Sequence, residues 1–213
     1  MTTSTSPTGA IASTPTPGAT PANSTTPPAR NTAATPTLGT IPASTTTPAG
    51  YTTLAPWVVT DNTGALLDFV ATVFDGAELA RIDTEDGLVG HAEIRVGDTV
   101  LLAFDRRPDW PAMPSLLRIF VPDADKAFAR AVESGARVVT ELSTAAWGDR
   151  GGRIRDPWGN IWWIVAHVED VPAEEVGARL ADPRYAEAMQ VAQATFDTEM
   201  TGNPTGRSSR PVL

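Results

Sequence analysis

The sequence predicts an α+β fold in which paired βαβββ modules form cupped mixed sheets around a cavity, with a disordered N-terminal tail and a short helical C-terminal extension. Three observations carry this. Short runs alternate apolar and polar residues at period two, while two other runs repeat apolar residues at helical spacing. Gly- and Asp-rich turn signals separate them. The order of these segments then recurs once along the chain, the mark of an internal repeat.

The tail is set apart by composition. Residues 1–50 are almost entirely Thr, Ser, Pro, Ala and Gly, with Arg30 as the only charge. Such a stretch buries too little apolar surface to offset its ordering entropy. Asn23-Ser24-Thr25 is a formal glycosylation sequon, but that reading requires secretion, and the tail lacks a signal peptide's basic start and apolar stretch of roughly 7 to 15 residues. A wrongly chosen start codon would account for the tail equally well.

The domain proper is expected over residues 51–170, with modules at about 54–105 and 116–170. Leu54–Thr60 reads as a strand, and Asp61-Asn62-Thr63 as the cap of a helix carrying Leu66, Leu67, Val70, Val73 and Phe74, stopped by Asp75-Gly76. Strands follow at Glu78–Thr84, His91–Val96 and Thr99–Asp105, joined by Glu85-Asp86-Gly87 and Gly97-Asp98. Arg106–Pro114, with three prolines, is a connector. The second module repeats the order: a strand at Leu116–Val121, a helix at Asp125–Ser134 closed by Gly135, and strands at Arg137–Leu142, Gly152–Arg155 and Ile161–His167. Over residues 171–213, Pro172–Leu180 and Tyr185–Thr195 have helical composition and the end is expected to fray. Laying Gly97-Asp98 over Gly159-Asn160 matches His91 and Glu93 with Arg153 and Arg155, and Leu101 with Trp163.

The segments VTDNTGALLDFVATVFDGAE, GHAEIRVGDTVLLAFD, IFVPDADKAFARAVESGARVV and WGDRGGRIRDPWGNIWWIVAHVED resemble the vicinal-oxygen-chelate superfamily, the glyoxalase, bleomycin-resistance and extradiol-dioxygenase group, and within it the PhnB-like branch. The resemblance implies two cupped sheets around a ligand cavity, often with a metal held by one His or Gln and one Glu from each half. It also implies a homodimer that pairs halves across subunits. Counting back from Asp61 and Asp123 places the first-strand ligand positions at Leu54 and Leu116, and the repeat places the last-strand positions at Leu101 and Trp163. None offers a donor to a divalent cation, so the expectation is a pocket with no metal and no cofactor.

Strand alternation sends His91, Glu93 and Arg95 to one face, toward the cup or toward solvent. In the cup, His91 could move a proton and Glu93 orient it, an acid–base pair. Arg118 shares a face with Leu116 and Phe120, and there needs an anion. That anion is either a protein carboxylate such as Glu93 or a ligand carboxylate, phosphate or enolate. Trp147-Gly148-Asp149-Arg150, followed by Arg153, allows for surface ion pairs, yet it resembles an aromatic-Gly-Asp-Arg loop at the cavity mouth of PhnB-like sequences. Of the adjacent Trp162 and Trp163, one packs on the helix and Trp163 enters the cup as a stacking wall.

Two functional readings follow. In the first, a metal-independent binding protein takes up a bulky, partly aromatic ligand through Arg118, Phe120, Trp147, Asp149, Arg150, Arg153 and Trp163. In the second, a metal-free isomerase, epimerase or cyclase uses His91 and Glu93. The net charge of −9 argues against nucleic acid. The absence of cysteine makes reducing cytoplasm the expected compartment, and no apolar run is long enough for a membrane span.

Overall fold

Two polar side chains start the helices of the two modules. Asn62 accepts a hydrogen bond from the Ala65 amide at 3.0 Å and opens α1 (Thr63–Phe74), and Asp123 accepts from the Lys126 amide at 3.0 Å and opens α2 (Ala124–Glu133). In each case the side-chain oxygen satisfies an amide that the first helical turn leaves unpaired. The structure is a computed structural model and describes residues 47–202. Most of the expected tail, residues 1–46, and the expected frayed end, residues 203–213, lie outside the described residues.

The first module runs β1 (Trp57–Thr60), α1, β2 (Ala77–Asp83), β3 (Val89–Val96), β4 (Thr99–Asp105). The second runs β5 (Leu116–Phe120), α2, β6 (Arg137–Thr144), β7 (Asp149–Arg155), β8 (Ile161–His167), and α3 (Ala173–Ala181) and α4 (Pro183–Thr201) follow. The four-stranded sheets have the orders β1-β4-β3-β2 and β5-β8-β7-β6. In both, the first and last strands of the module pair in parallel and the remaining pairs are antiparallel. This is the mixed α+β architecture expected.

One apolar core serves both modules. Leu66, Val70 and Val73 of α1 and Ala127 and Phe128 of α2 are buried with Ile94, Ile154, Trp162 and Ile164 from the sheets, and the Phe74 ring lies 5.0 Å from that of Trp162. Each sheet therefore turns one face to the helices, and its other face, the cup face, looks away from the shared core. Gly152 allows this closeness: a Cβ there would stand 2.8 Å from the Phe128 ring and 2.7 Å from the Thr140 carbonyl oxygen.

The Asp156–Asn160 turn before β8 is built around one buried carboxylate. Asp156 accepts from the Trp158 and Asn160 amides, the Asn160 side chain and the Trp162 indole, at 2.8 to 3.0 Å. Four donors satisfy the buried side-chain oxygens without a cation.

Several boundaries differ from the expectation. β1 begins at Trp57, and Leu54 is exposed outside it. β7 begins at Asp149, so Trp147-Gly148 is a tight turn and Asp149-Arg150 belongs to the strand. The repeat register moves by one residue. Trp57 pairs with Leu102 as Arg118 pairs with Trp163, and each member of the second pair lies 61 residues beyond its counterpart. The counterparts of Leu116 and Trp163 are thus Ala55 and Leu102, while Leu101 points into the helix-facing core. The β3–β4 register likewise makes Glu93 the counterpart of Arg153, since they face Leu102 and Trp163. The cause is local: Asn62, and not Asp61, caps α1, and the turn before β8 is longer than Gly97-Asp98. A one-residue slip exchanges the faces of a strand.

Candidate functional site

The cup face of the second sheet carries Arg118, Arg153, Arg155, Trp163 and Val165, and α4 lies across it. At helical spacing, Ala188, Ala192, Thr195 and Glu199 occupy one side of α4. The Thr195 hydroxyl meets that of Thr140 on β6 at 2.9 Å, the Ala192 carbonyl accepts from Arg153 Nη1 at 3.1 Å, and Glu199 accepts from Arg137 and Arg155. Between helix and sheet is a partly open cavity of about 200 Å3, lined among others by Arg118, Trp147, Asp149, Arg153, Trp163 and Met189.

Asp149 organises the mouth of this cavity. It accepts from Arg118 at 2.7 Å, from the Trp147 indole at 2.9 Å, and bonds His167 Nδ1 at 2.9 Å. Asp170 holds the other ring nitrogen of His167 at 2.9 Å. The hydrogen bond to Asp149, then that to Asp170, raises the His167 pKa above 6.5. Gly148 makes the placement possible: its φ of +89° is open to glycine, and a Cβ would stand 1.9 Å from the Glu169 carbonyl oxygen.

Trp163 is not a bare wall. The guanidinium groups of Arg118 and Arg153 each lie 4.5 Å from the centre of its ring. Arg118 also stacks on Phe120 at 4.7 Å, and Arg153 on Phe196 of α4 at 4.8 Å. Burial holds the Arg153 pKa below the ordinary arginine value. The other cup-facing arginines have carboxylates, Asp149 for Arg118 and Glu199 for Arg137 and Arg155. Arg153 has none among the described residues.

The structure thus brings Arg118, Trp147, Asp149, Arg153 and Trp163 together and leaves other candidates apart. Arg150 sits on the opposite face of β7, where its guanidinium bonds Asp125 of α2 at 2.6 and 2.7 Å. Phe120 is on the cup face but outside the cavity, on the edge strand, 62% exposed. Arg118 takes Asp149, and not Glu93, as its carboxylate. His91 and Glu93 occupy the cup face of the first sheet, 2.9 Å apart, and no residue of that sheet lines the second-sheet cavity. Tyr51 donates to Glu93, and this bond, followed by that to His91, holds the Glu93 carboxyl below its usual range. The Trp57 ring lies 5.8 Å from that of His91.

Tyr51 and the α4 side chains were not anticipated from the sequence. The one available signal was the Ala188, Met189, Ala192, Phe196 spacing, interrupted by the polar Thr195 and Glu199. Ala55, Leu102, Leu116 and Trp163, the corrected repeat positions, still present no metal donor. Among the described residues no group of three or more His, Asp or Glu side chains is arranged to hold an ion.

The family model of the glyoxalase/bleomycin resistance protein/dioxygenase superfamily matches residues 50–164. An uncharacterized protein of Mycobacterium bovis is 34% identical over 143 residues, which span 60% of this chain and 91% of that one. An uncharacterized protein of Mycobacterium tuberculosis is equally similar, with 82% of its length covered. Among solved structures, TioX from Micromonospora sp. ML1 matches with 22% identity and a TM-score of 0.46, over 54% of this chain and 98% of that one. Protein PA1353 from Pseudomonas aeruginosa matches with 19% identity and a TM-score of 0.48, over 55% and 98%.

Proposed function

The chain belongs to the glyoxalase/bleomycin resistance protein/dioxygenase superfamily, and from that premise we propose that it is a metal-independent protein that binds a bulky, partly aromatic small molecule on its second cup. The observation that carries this reading is the cavity beneath α4, where Arg118, Asp149, Trp147, Arg153 and Trp163 are held by one another's hydrogen bonds and ring contacts. Groups fixed in this way are ready to receive a ligand without reorganising. The apolar side chains at Ala55, Leu102, Leu116 and Trp163 favour binding over chemistry at a metal.

At about 200 Å3 the cavity is smaller than the roughly 300 Å3 that begins the range for drug-sized ligands. It takes one end of the ligand, and the remainder lies along the edge strand over Phe120 and Leu116, which are 62% and 59% exposed. A homodimer, with Trp57 of one copy near these residues of another, would cover that surface. The setting we propose is cytoplasmic, in antibiotic resistance or biosynthesis, in a PhnB-like branch, and without nucleic-acid or membrane partners. No described helix is long and apolar enough to cross a membrane. Titrating intrinsic tryptophan fluorescence with aromatic antibiotics and polyketides tests the reading: saturable quenching that Trp163→Leu diminishes is expected, and no change with any compound would refute it.

A second reading, a metal-free isomerase, epimerase or cyclase, draws on the Tyr51–Glu93–His91 chain in the first cup. Glu93 fixes the imidazole, and His91 would carry the proton. Turnover lost in His91→Ala while binding persists would support it, and turnover unchanged in that variant would remove His91 from the mechanism.

A further inference from the structure

We infer that the ligand is an organic acid whose carboxylate is received by Arg153 beneath α4; this rests on the binding reading above and names the ligand's chemical class.

The argument begins with charge. A guanidinium withdrawn from water is normally matched by an anion. Four arginines face the second cup; Arg118 is matched by Asp149, and Arg137 and Arg155 share Glu199. Arg153, half-buried at the cavity, is matched by no carboxylate among the described residues. Its protein partners are neutral: Nη1 donates to the Thr140 hydroxyl at 3.3 Å and to the Ala192 carbonyl at 3.1 Å.

Geometry then fixes the direction of approach. The guanidinium carbon lies over the rings of Trp163 and Phe196, at 4.5 and 4.8 Å from their centres, so two aromatic side chains already occupy part of its surroundings. Nη1 is turned to Thr140 and α4. The in-plane edge formed by Nε and Nη2 has no acceptor from the described residues, and neither atom is sealed away from solvent. That edge offers two parallel N–H groups, the arrangement that a carboxylate accepts in bidentate fashion. Ser143 and Thr144 of β6 line the same cavity and can donate to a carboxylate oxygen, and Gln193 of α4, whose amide nitrogen bonds Asp197 at 2.7 Å, keeps a second N–H. Met189, Ala188 and Val165 supply apolar walls. At ~30 Å3 per water, the cavity of about 200 Å3 holds some six waters, enough for a carboxylate and its adjoining carbons. Arg118, stacked on both Trp163 and Phe120, borders the path from the cavity to the exposed edge strand where an aromatic body would rest.

The test uses two probes of nearly one shape, 2-naphthylacetate and 2-naphthylacetamide, titrated by calorimetry at pH 7 into the full chain. The acid is expected to bind at least about tenfold more tightly than the amide, the discrimination that a charge-assisted bidentate pair gives. Arg153→Gln should reduce that ratio to near one, and Ala188→Phe, which fills the cavity without touching the cation, should weaken the acid with the arginine intact. Circular dichroism of both variants reports folding, and the acid-to-amide ratio in the unaltered chain stands even if Arg153→Gln does not fold. Equal affinity for acid and amide would overturn the carboxylate assignment while leaving the binding reading in place. A preference that survives Arg153→Gln in a folded protein would overturn the role of Arg153. Binding of neither probe would overturn the assignment, while the antibiotic and polyketide titration separately decides the broader reading.

Discussion

The guanidinium of Arg153 rests 4.5 Å from the centre of the Trp163 ring and 4.8 Å from that of Phe196, so one cation joins β7, β8 and the C-terminal helix. No residue of α4 is itself buried, and the helix is held to the sheet by this stack and a few polar contacts. Removing the ring on the helix side tests the arrangement. Phe196→Ala is expected to cost about 1–2 kcal/mol of α4 docking, from lost ring contact and apolar cover. Hydrogen exchange should quicken throughout α4 while α1 and α2 keep their protection; uniform quickening would mean that α4 is integral to the whole domain.

Acid should release the same helix. Glu199 is bonded by Arg137 and Arg155, and the Arg137 hydrogen bond is the largest cause holding its pKa below 4.5. A carboxyl whose folded pKa is depressed stabilises fully above its unfolded value, and that stability is lost as pH falls through the folded one. Protection of α4 should therefore be constant above pH 4.5 and decline below it, and Glu199→Gln should already be loosened at neutral pH. A pH profile identical in the two proteins would show that Glu199 does not anchor the helix.

The opposite sign applies at the cavity mouth. His167 titrates above 6.5 because Asp149 and Asp170 favour its charged form. The contribution of the charged ring is complete below pH 6.5 and disappears as pH rises through the raised folded value. The His167 ring protons, followed by magnetic resonance, should report a midpoint above 6.5, with Trp147 fluorescence changing over the same interval through Asp149. Trp147 fluorescence that follows the same pH curve in His167→Gln would disprove the connection.

The Asp156 turn predicts a stability effect at some distance from the cavity. Asp156→Ala leaves the buried Asn160 side chain and the Trp162 indole without their acceptor. Unmade bonds of buried donors cost about 1–3 kcal/mol each, so with two such donors a loss of about 2–6 kcal/mol is expected on chemical denaturation. Asp156→Asn, which keeps one acceptor oxygen, should lose less; equal losses would show that the carboxylate's second oxygen carries the turn.

Most of the fold was legible because its signals are short-range. The Asp61-Asn62-Thr63 cap, the Asp75-Gly76 stop, the period-two strands and the opposite facing of Trp162 and Trp163 depend on residues within a turn or two of one another. Register was less secure: the choice between Asp61 and Asn62 as cap shifted Leu54 for Ala55, and the unequal turns before β4 and β8 shifted Leu101 for Leu102. The site was legible only in part. Arg118, Trp147, Asp149, Arg153 and Trp163 were named from strand faces and a loop, yet Arg150 was named with them although it lies across the strand, bonded to Asp125.

By itself, the sequence determined two βαβββ modules and their polar faces, since local hydrogen bonding and alternation are written into neighbouring residues. Only the tertiary structure decided that α4 covers the second cup, that Asp149 rather than Glu93 takes Arg118, and that Arg153 alone faces the cavity without a carboxylate among the described residues. Those outcomes depend on which distant side chains meet, and polar contacts such as Thr140 with Thr195 or Arg155 with Glu199 leave no periodic trace in the chain.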